Sequence, residues 1–346
     1  MAKQESYLII GGGGFLGKRI VELLLESPSP PEVYILDLRK TFDNPRVKEF
    51  IEGDITDPVA VNNACKGRTV VIHTAAVIEG FPTPVYWKVN YEGTKTIIDA
   101  CRKQGVPTLI YTSSASVTYN GQDLRNGTEK DPYCEIHMDT YNETKAAAEQ
   151  LVLSSNGGGL ATISLRPAGI FGPGDNNASK GLYDAAKKGN WKFMIGDNST
   201  LFDWTYVDNV AQAHILAAQN IHRPGVSGEA FYITNDTPTF FWDVPKYLYN
   251  ELGYRNTLHT RIPRSLGLLL GSVVDALVAI LKPIRKINPT FTKFRVKVIT
   301  NNRYLNIAKA KDVLGYSPMI PLEEGLRRTA VHWKAFDDAA KAAEAN

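Results

Sequence analysis

The feature that most constrains this chain is Gly11-Gly-Gly-Gly-Phe-Leu-Gly17, set between an apolar run, Tyr7–Ile10, and a helix-period stretch, Leu16–Leu25. Read through Gly11, Gly14 and Gly17 it is GxxGxxG. Glycines at that spacing permit a tight turn, close approach of backbone to a pyrophosphate, and close packing of helix on strand. The helix N-terminus then offers free N–H groups to the anion. A glycine string alone also suits a flexible turn, but the strand–loop–helix setting favours a dinucleotide. Phe15 and Leu16, at the start of the helix, join the glycines in the expected cofactor contact.

The segments that follow repeat the pattern. Val33–Leu36, Thr69–His73, Thr108–Thr112 and Ala161–Leu165 are short apolar runs closed by small or polar residues, and Thr94–Gln104 and Thr140–Leu153 are helix-period. Such alternation predicts an α/β fold, a Rossmann-like doubly wound parallel sheet. After Arg166 the rhythm loosens. Ile170–Gly174 reads as a loop, Ser179–Lys188 as a helix, Asp208–Gln219 as a helix with Asp208 as its N-cap, and Phe231–Thr234 as a late strand. The expected division is a dinucleotide-binding domain over 1–165, with returning segments at about 201–240. A smaller substrate lobe takes most of 166–346 and covers the carboxyl ends of the strands. The Ala-rich tail Ala339–Asn346 is expected to fray.

Bulk properties narrow the function. A hydrophobic share of 43% with 22% charged residues suits a globular protein, and a net charge of +3 gives no reason to expect nucleic acid. Cys65, Cys101 and Cys134 are odd in number and include no CxxC pair, so neither disulfides nor a zinc site is expected, and a reducing compartment fits. The six histidines are dispersed, never at i, i+4, and no metal is expected. Met1–Ser6 is short and polar, so no secretory signal is expected, and Asn126-Gly-Thr128 is expected to carry no glycan.

Further cofactor contacts follow from the strand ends. Asp37 closes the second strand 20 residues after Gly17, where a carboxylate accepts hydrogen bonds from the adenosine ribose and favours NAD. Arg39 could pair with a 2′-phosphate, leaving NADP open, or be a solvated loop cation. Asp54 and Ile55 follow a presumed third strand, bordering the adenine or, equally, capping a helix. His73-Thr74-Ala75-Ala76 closes the fourth strand with small residues, as a backbone close to a dinucleotide requires.

Tyr141-Asn-Glu-Thr-Lys145 places a phenol and an ammonium one helical turn apart on one face. A phenol titrates near pH 10, too high for a base at neutral pH, and a neighbouring ammonium favours the phenolate. On its own YxxxK is a weak signal. Tyr111-Thr-Ser-Ser-Ala115 adds hydroxyls at the end of a buried strand, Ser114 first and Ser113 second, to steady charge on a substrate oxygen. Pro167, Ala168 and Ile170 follow the next strand, where backbone can fix a nicotinamide carboxamide. Asn90 precedes a helix and is read as structural, with a water-relay role as the alternative.

Together these residues resemble the extended short-chain dehydrogenase/reductase superfamily. Within it the likeness is to the 3β-hydroxysteroid dehydrogenase group, and to its branch of sterol-4α-carboxylate dehydrogenases (decarboxylating) from fungal sterol synthesis. Gly11–Gly17 and Tyr141/Lys145 are superfamily features; Asn120-Gly-Gln-Asp123, Leu201–Tyr206 and Thr234–Thr239 are more particular to the branch, and Asn306-Ile-Ala-Lys-Ala310 completes the match. The resemblance implies that Tyr141 takes the proton of a 3β-hydroxyl while hydride leaves C3 for NAD or NADP. The resulting β-keto acid then loses its C4 carboxylate as CO2. Gly127–Cys134 departs from the acidic, proline-rich segment of that branch, which leaves room for a paralogue acting on a related triterpenoid. The resemblance is also compatible with a homodimer and with contacts to other enzymes of sterol C4 demethylation.

Ser265–Leu281 is nearly all apolar, broken by Asp275 and flanked by Arg261, Arg264, Lys282, Arg285 and Lys286. It is short for a spanning helix and carries a carboxylate. It reads as an interfacial helix with basic flanks, or else as a core helix of the small lobe. A sterol substrate favours the membrane, hence an expected peripheral attachment to the cytoplasmic face of the endoplasmic reticulum. Three rivals remain. A nucleotide-sugar epimerase or dehydratase needs an Arg-bearing pocket for a sugar diphosphate; a non-catalytic dinucleotide sensor would not keep Ser114, Tyr141 and Lys145; a 3β-hydroxysteroid dehydrogenase/isomerase would yield an enone and no CO2.

Overall fold

A computed structural model describes residues 5–281 and 291–344. Its frame is a seven-stranded parallel sheet of β1 (Ser6–Ile10), β2 (Glu32–Asp37), β3 (Glu49–Glu52), β4 (Val70–His73), β5 (Thr108–Thr112), β6 (Ala161–Pro167) and β7 (Ala230–Ile233), ordered β7-β6-β5-β4-β1-β2-β3. Both faces are covered, which is why β1 reads as an unbroken apolar run rather than an alternation. Tyr7 and Ile9 enter one hydrophobic cluster with the helices Phe15–Glu26 and Val207–Asn220. Leu8 and Ile10 enter the other, with Pro58–Cys65, Gly93–Gln104 and Thr140–Ser154. The chain order reverses between β1 and β4, so their carboxyl ends flank the crevice where doubly wound sheets take ligands.

A second, smaller sheet is built mostly from the chain beyond β6. Four short strands, Thr239–Phe240, Leu201–Phe202, Arg303–Leu305 and Leu124–Gly127, pair in that order, bringing together segments far apart in sequence. Two-to-four-residue strands carry no readable periodicity, so sequence patterning found no sheet here. The helix Val207–Asn220 and strand β7 return to the large sheet.

Three local expectations are corrected. Asp208 is no N-cap: the helix starts at Val207 directly after the strand Thr205–Tyr206, and the Asp208 carboxylate is taken by Arg19 at 2.7 and 3.1 Å. Helix Leu322–Glu344 continues through most of the Ala-rich tail. The core-helix alternative for 265–281 also fails. Arg264–Leu281 is one helix in which only Gly267 and Gly271 are buried; Leu269, Val273, Leu277 and Ile280 are exposed. Lys282, Arg285 and Lys286 lie outside the described residues.

Candidate active site

The glycine loop is shaped by close approach. Gly11 has φ +81°, and a β-carbon there would lie 2.7 Å from Ala75 N and Thr74 Oγ1; one at Gly17 would lie 2.1 Å from the Gly11 carbonyl oxygen. No other residue fits either position. Thr74 Oγ1 donates to the carbonyls of Ile10 and Gly11, tying the ends of β4 and β1 together across the switch point. The loop borders a cleft of about 1030 Å³ that Gly13, Gly14, Phe15, Asp37 and Arg39 help to line. Leu16 is buried beneath the loop.

At the end of β2, Asp37 accepts from Gly13 N (2.9 Å) and Leu38 N (2.7 Å), so its carboxylate is aimed at the loop while Arg39 points into solvent. Asp54, after β3, is exposed and accepts from Thr56 N. Asp57 caps the following helix through Val59 N, so the capping alternative for Asp54 falls away. Ile55 is buried. These groups fit a dinucleotide: a cradle that a β-carbon would fill, a helix N-terminus behind it, and a carboxylate at the tip of the next strand.

On the other side of the crevice stand the expected catalytic groups. The helix Thr140–Ser154 is capped by Asp139, which accepts from Asn142 N at 2.8 Å, so Tyr141 lies in the first turn and Lys145 one turn on. Lys145 is buried. Its Nζ donates to the Thr112 carbonyl at the end of β5 (2.6 Å) and sits 4.2 Å from the centre of the Tyr111 ring. Burial pulls the ammonium down to about 7, with Glu149 opposing. Tyr141 is half-buried. Burial pushes its phenol up to about 12, while hydrogen bonding with Ser114 and the positive charge of Arg303 work the other way.

Ser114 caps the turn Ala115–Thr118 and shares a 2.7 Å hydrogen bond with Ser116 Oγ. Ser113 is buried and its hydroxyl has no partner among the described residues. It is the Ser114 hydroxyl that hydrogen-bonds with the Tyr141 phenol. Asn90 is buried in a π-helical turn, Trp87–Glu92, accepting from Val77 N and donating to Val77 O and Thr144 Oγ1. It locks the segment after β4 to the Tyr141 helix. Pro167 ends β6 and pairs with Ile233, Ala168 N donates to the Ile233 carbonyl, and Ile170 pairs with Thr205.

Sequence reading missed two supports. Glu149, one turn beyond Lys145, is fully buried and receives Arg166 Nε and Nη2 (2.6–3.1 Å), Ser164 Oγ (2.6 Å) and Tyr133 Oη (2.7 Å). Burial raises its carboxyl, but the Arg166 guanidinium and two further donors, Ser164 and Tyr133, outweigh that and hold it below the usual range. The i+4 spacing Tyr141, Lys145, Glu149 was a usable signal. The second is Arg303, whose guanidinium lies over the Tyr119 ring (4.7 Å) and the Phe202 ring (5.8 Å).

This arrangement can hold a dinucleotide against an alcohol and accept the alcohol's proton. Residues 8–264 match the model of the 3-beta hydroxysteroid dehydrogenase/isomerase family. The sterol-4-alpha-carboxylate 3-dehydrogenase ERG26, decarboxylating, of Candida albicans is 44% identical over 341 residues, covering 94% of this chain and 96% of that protein. The Saccharomyces cerevisiae protein of the same name is 43% identical, covering 95% and 98%. Among solved structures, MoeE5 in complex with UDP-glucuronic acid and NAD has the same fold, with a TM-score of 0.71, 23% identity and coverage of 96% and 99%. With its glycine cradle and its Ser114, Tyr141 and Lys145, the chain belongs to the 3-beta hydroxysteroid dehydrogenase/isomerase family.

Proposed function

We propose that this protein oxidises the 3β-hydroxyl of a 4-carboxysterol to the 3-ketone and that the C4 carboxylate then leaves as CO2. The observation that carries it is Ser114, Tyr141 and Lys145 at one end of the crevice in a chain that matches proteins named for this reaction over nearly its whole length. Tyr141 is the base: as phenolate it takes the hydroxyl proton while the C3–H bond breaks. A nicotinamide dinucleotide on the Gly11–Gly17 loop supplies the hydride acceptor. Lys145, held by the Thr112 carbonyl, lowers the cost of the phenolate, and Ser114 donates to the substrate oxygen. The C4–carboxyl bond then breaks, CO2 departs, and its electron pair forms an enolate whose oxygen lies against Tyr141 and Ser114. Solvent returns a proton to C4.

The position of Asp37 supports NAD over NADP, because its carboxylate receives a ribose diol and repels a 2′-phosphate. The test is incubation with a 4-carboxysterol and each dinucleotide, following cofactor reduction and CO2 together. Equimolar release with NAD is expected. Reduction without CO2 removes the decarboxylation, and faster turnover with NADP removes the cofactor preference.

The same reading places the enzyme on a lipid surface, peripherally on the cytoplasmic face of the endoplasmic reticulum. Its support is the helix Arg264–Leu281. Gly267 and Gly271 are buried against the protein, Gly271 abutting the Lys293 backbone, and Asp275, exposed one turn further along the same side, accepts from Lys293 N at 3.2 Å. The carboxylate of this helix is thus turned away from the exposed leucines, which gives the one-sided apolar face of a helix lying in an interface. Leu269→Asp with Leu277→Asp should abolish co-flotation with phospholipid vesicles; unchanged flotation refutes the attachment.

A further inference from the structure

Lys145 is an ammonium in the protein interior with no carboxylate against it. It takes part in no ion pair among the described residues, and Glu149, one turn away, is occupied by Arg166, Ser164 and Tyr133. Its Nζ is seated instead by two consecutive residues of β5. The Thr112 carbonyl accepts from it at 2.6 Å, and the centre of the Tyr111 ring lies 4.2 Å away. Tyr111 is itself fully buried. Burial holds its phenol well above the ordinary range, so it meets Lys145 as a neutral ring.

The other titratable groups around Lys145 leave that ring without a rival. His73, on β4, has its ring centre 5.4 Å from that of Tyr111. Burial, and then the Lys145 charge, pull its imidazole down to about 3, so it stays neutral. Glu149 favours the ammonium, but its charge is shared with Arg166. Tyr141, on the same helix, is the group that Lys145 serves.

An aromatic face attracts a desolvated cation through its quadrupole while carrying no net charge. A carboxylate in the place of Tyr111 would also hold the ammonium. It would, however, cancel the positive charge felt by the Tyr141 phenol and so oppose the phenolate. A neutral ring holds the ammonium and leaves its charge whole.

We propose that Tyr111 is a positioning residue: its ring face seats the Lys145 ammonium and keeps it protonated, so that Tyr141 gives up its proton beside an uncancelled positive charge. This rests on Tyr141 as the base of the reaction above. The strand end Tyr111–Ser114 then supplies both the seat of Lys145 and the hydroxyl that hydrogen-bonds with Tyr141.

The experiment changes the electrons of the ring and keeps its shape. Tyr111→Phe retains the face and is the reference. Tyr111→trifluorophenylalanine, introduced at a suppressed stop codon, weakens the quadrupole. The titration of Lys145 is followed by NMR of protein labelled in the lysine side-chain nitrogen, its signal identified by its loss in Lys145→Met. The midpoint of the reference, expected near the value of about 7 that burial sets, should drop by about one pH unit in the fluorinated protein. The charged fraction at pH 7 then falls from about a half to about a tenth. There kcat should fall about five-fold against the reference, with the acid limb of its pH profile moved up. Tyr111→Leu, which removes the face, should lower the midpoint further; if it does not fold, the fluorinated protein, whose ring is retained, decides. Equal midpoints in the reference and the fluorinated protein overturn the role of the ring face. The midpoint is read without substrate, so it stands apart from the parent reading, which falls instead if Tyr141→Phe keeps full turnover.

Discussion

The two walls of the crevice are built by different means. On the cofactor side the groups stand at the ends of neighbouring strands and work against backbone at close range: Gly11 and Gly17 by lacking a side chain, Thr74 by donating its hydroxyl to the carbonyls of Ile10 and Gly11. On the lobe side the groups are side chains brought together from distant segments. Asn301, for example, donates to the carbonyl of Gly121, 180 residues away, and Arg303 crosses Tyr119. A wall made of backbone accepts one ligand shape and is hard to re-tune. A wall made of long-range side chains can change its ligand by single substitutions. The fold can thus keep a constant cofactor site under a variable substrate lobe.

The largest effect is expected where the walls meet. Tyr141→Phe removes the base while leaving the cradle and Asp37 untouched, so kcat should fall about 10²–10⁴-fold, with dinucleotide affinity retained by fluorescence titration. Equal loss of binding and turnover would show that the walls are not separable at Tyr141. Next is the buried carboxylate that braces the Tyr141 helix against β6. Glu149→Gln leaves Arg166 in the core without its counter-charge and should cost about 3–5 kcal/mol by denaturant melts. A cost below about 1 kcal/mol, the range of a surface pair, would mean that the brace is dispensable.

The same contrast decides what the sequence could tell. The glycine loop, Asp37, the Ser113-Ser114 pair and Tyr141/Lys145 are legible because each chemical role lies within a few residues, in a strand–turn–helix context that patterning detects. Six of the seven large-sheet strands, all but β3, followed from apolar runs long enough to count. Glu149 was within reach, one helical turn past Lys145, yet its need for Arg166 shows only once β6 lies beside the helix. Arg303 was out of reach. Its neighbour Asn306-Ile-Ala-Lys-Ala310 could be matched to relatives, but a three-residue strand has no period, and its partner Tyr119 is set by the register Arg303 with Leu124. Asp208 misled because N-cap chemistry and an ion pair ask for the same residue type; Arg19 on a distant helix decided it.

The smallest expected effect tests whether the lobe stores charge where the cofactor wall does not. Asp203 is buried on the strand segment beside Arg303 and accepts from Leu305 N at 2.8 Å. Burial pushes its carboxyl up to about 7, against that hydrogen bond and with Asp236 adding to the rise. The folded protein therefore keeps a proton that the unfolded chain releases near pH 4. Its contribution to stability is complete below pH 4, declines as pH rises toward 7, and above 7 leaves an ionised carboxylate in the lobe. Asparagine retains an acceptor for Leu305 N and cannot ionise. Asp203→Asn should then be more stable than wild type by about 2 kcal/mol at pH 8 and nearly equal to it at pH 4. Thermal melts across that range are the measurement. A gain independent of pH would mean that packing, not charge, separates the two proteins. A loss at every pH would mean that the ionised carboxylate is needed to position the strand that carries Arg303.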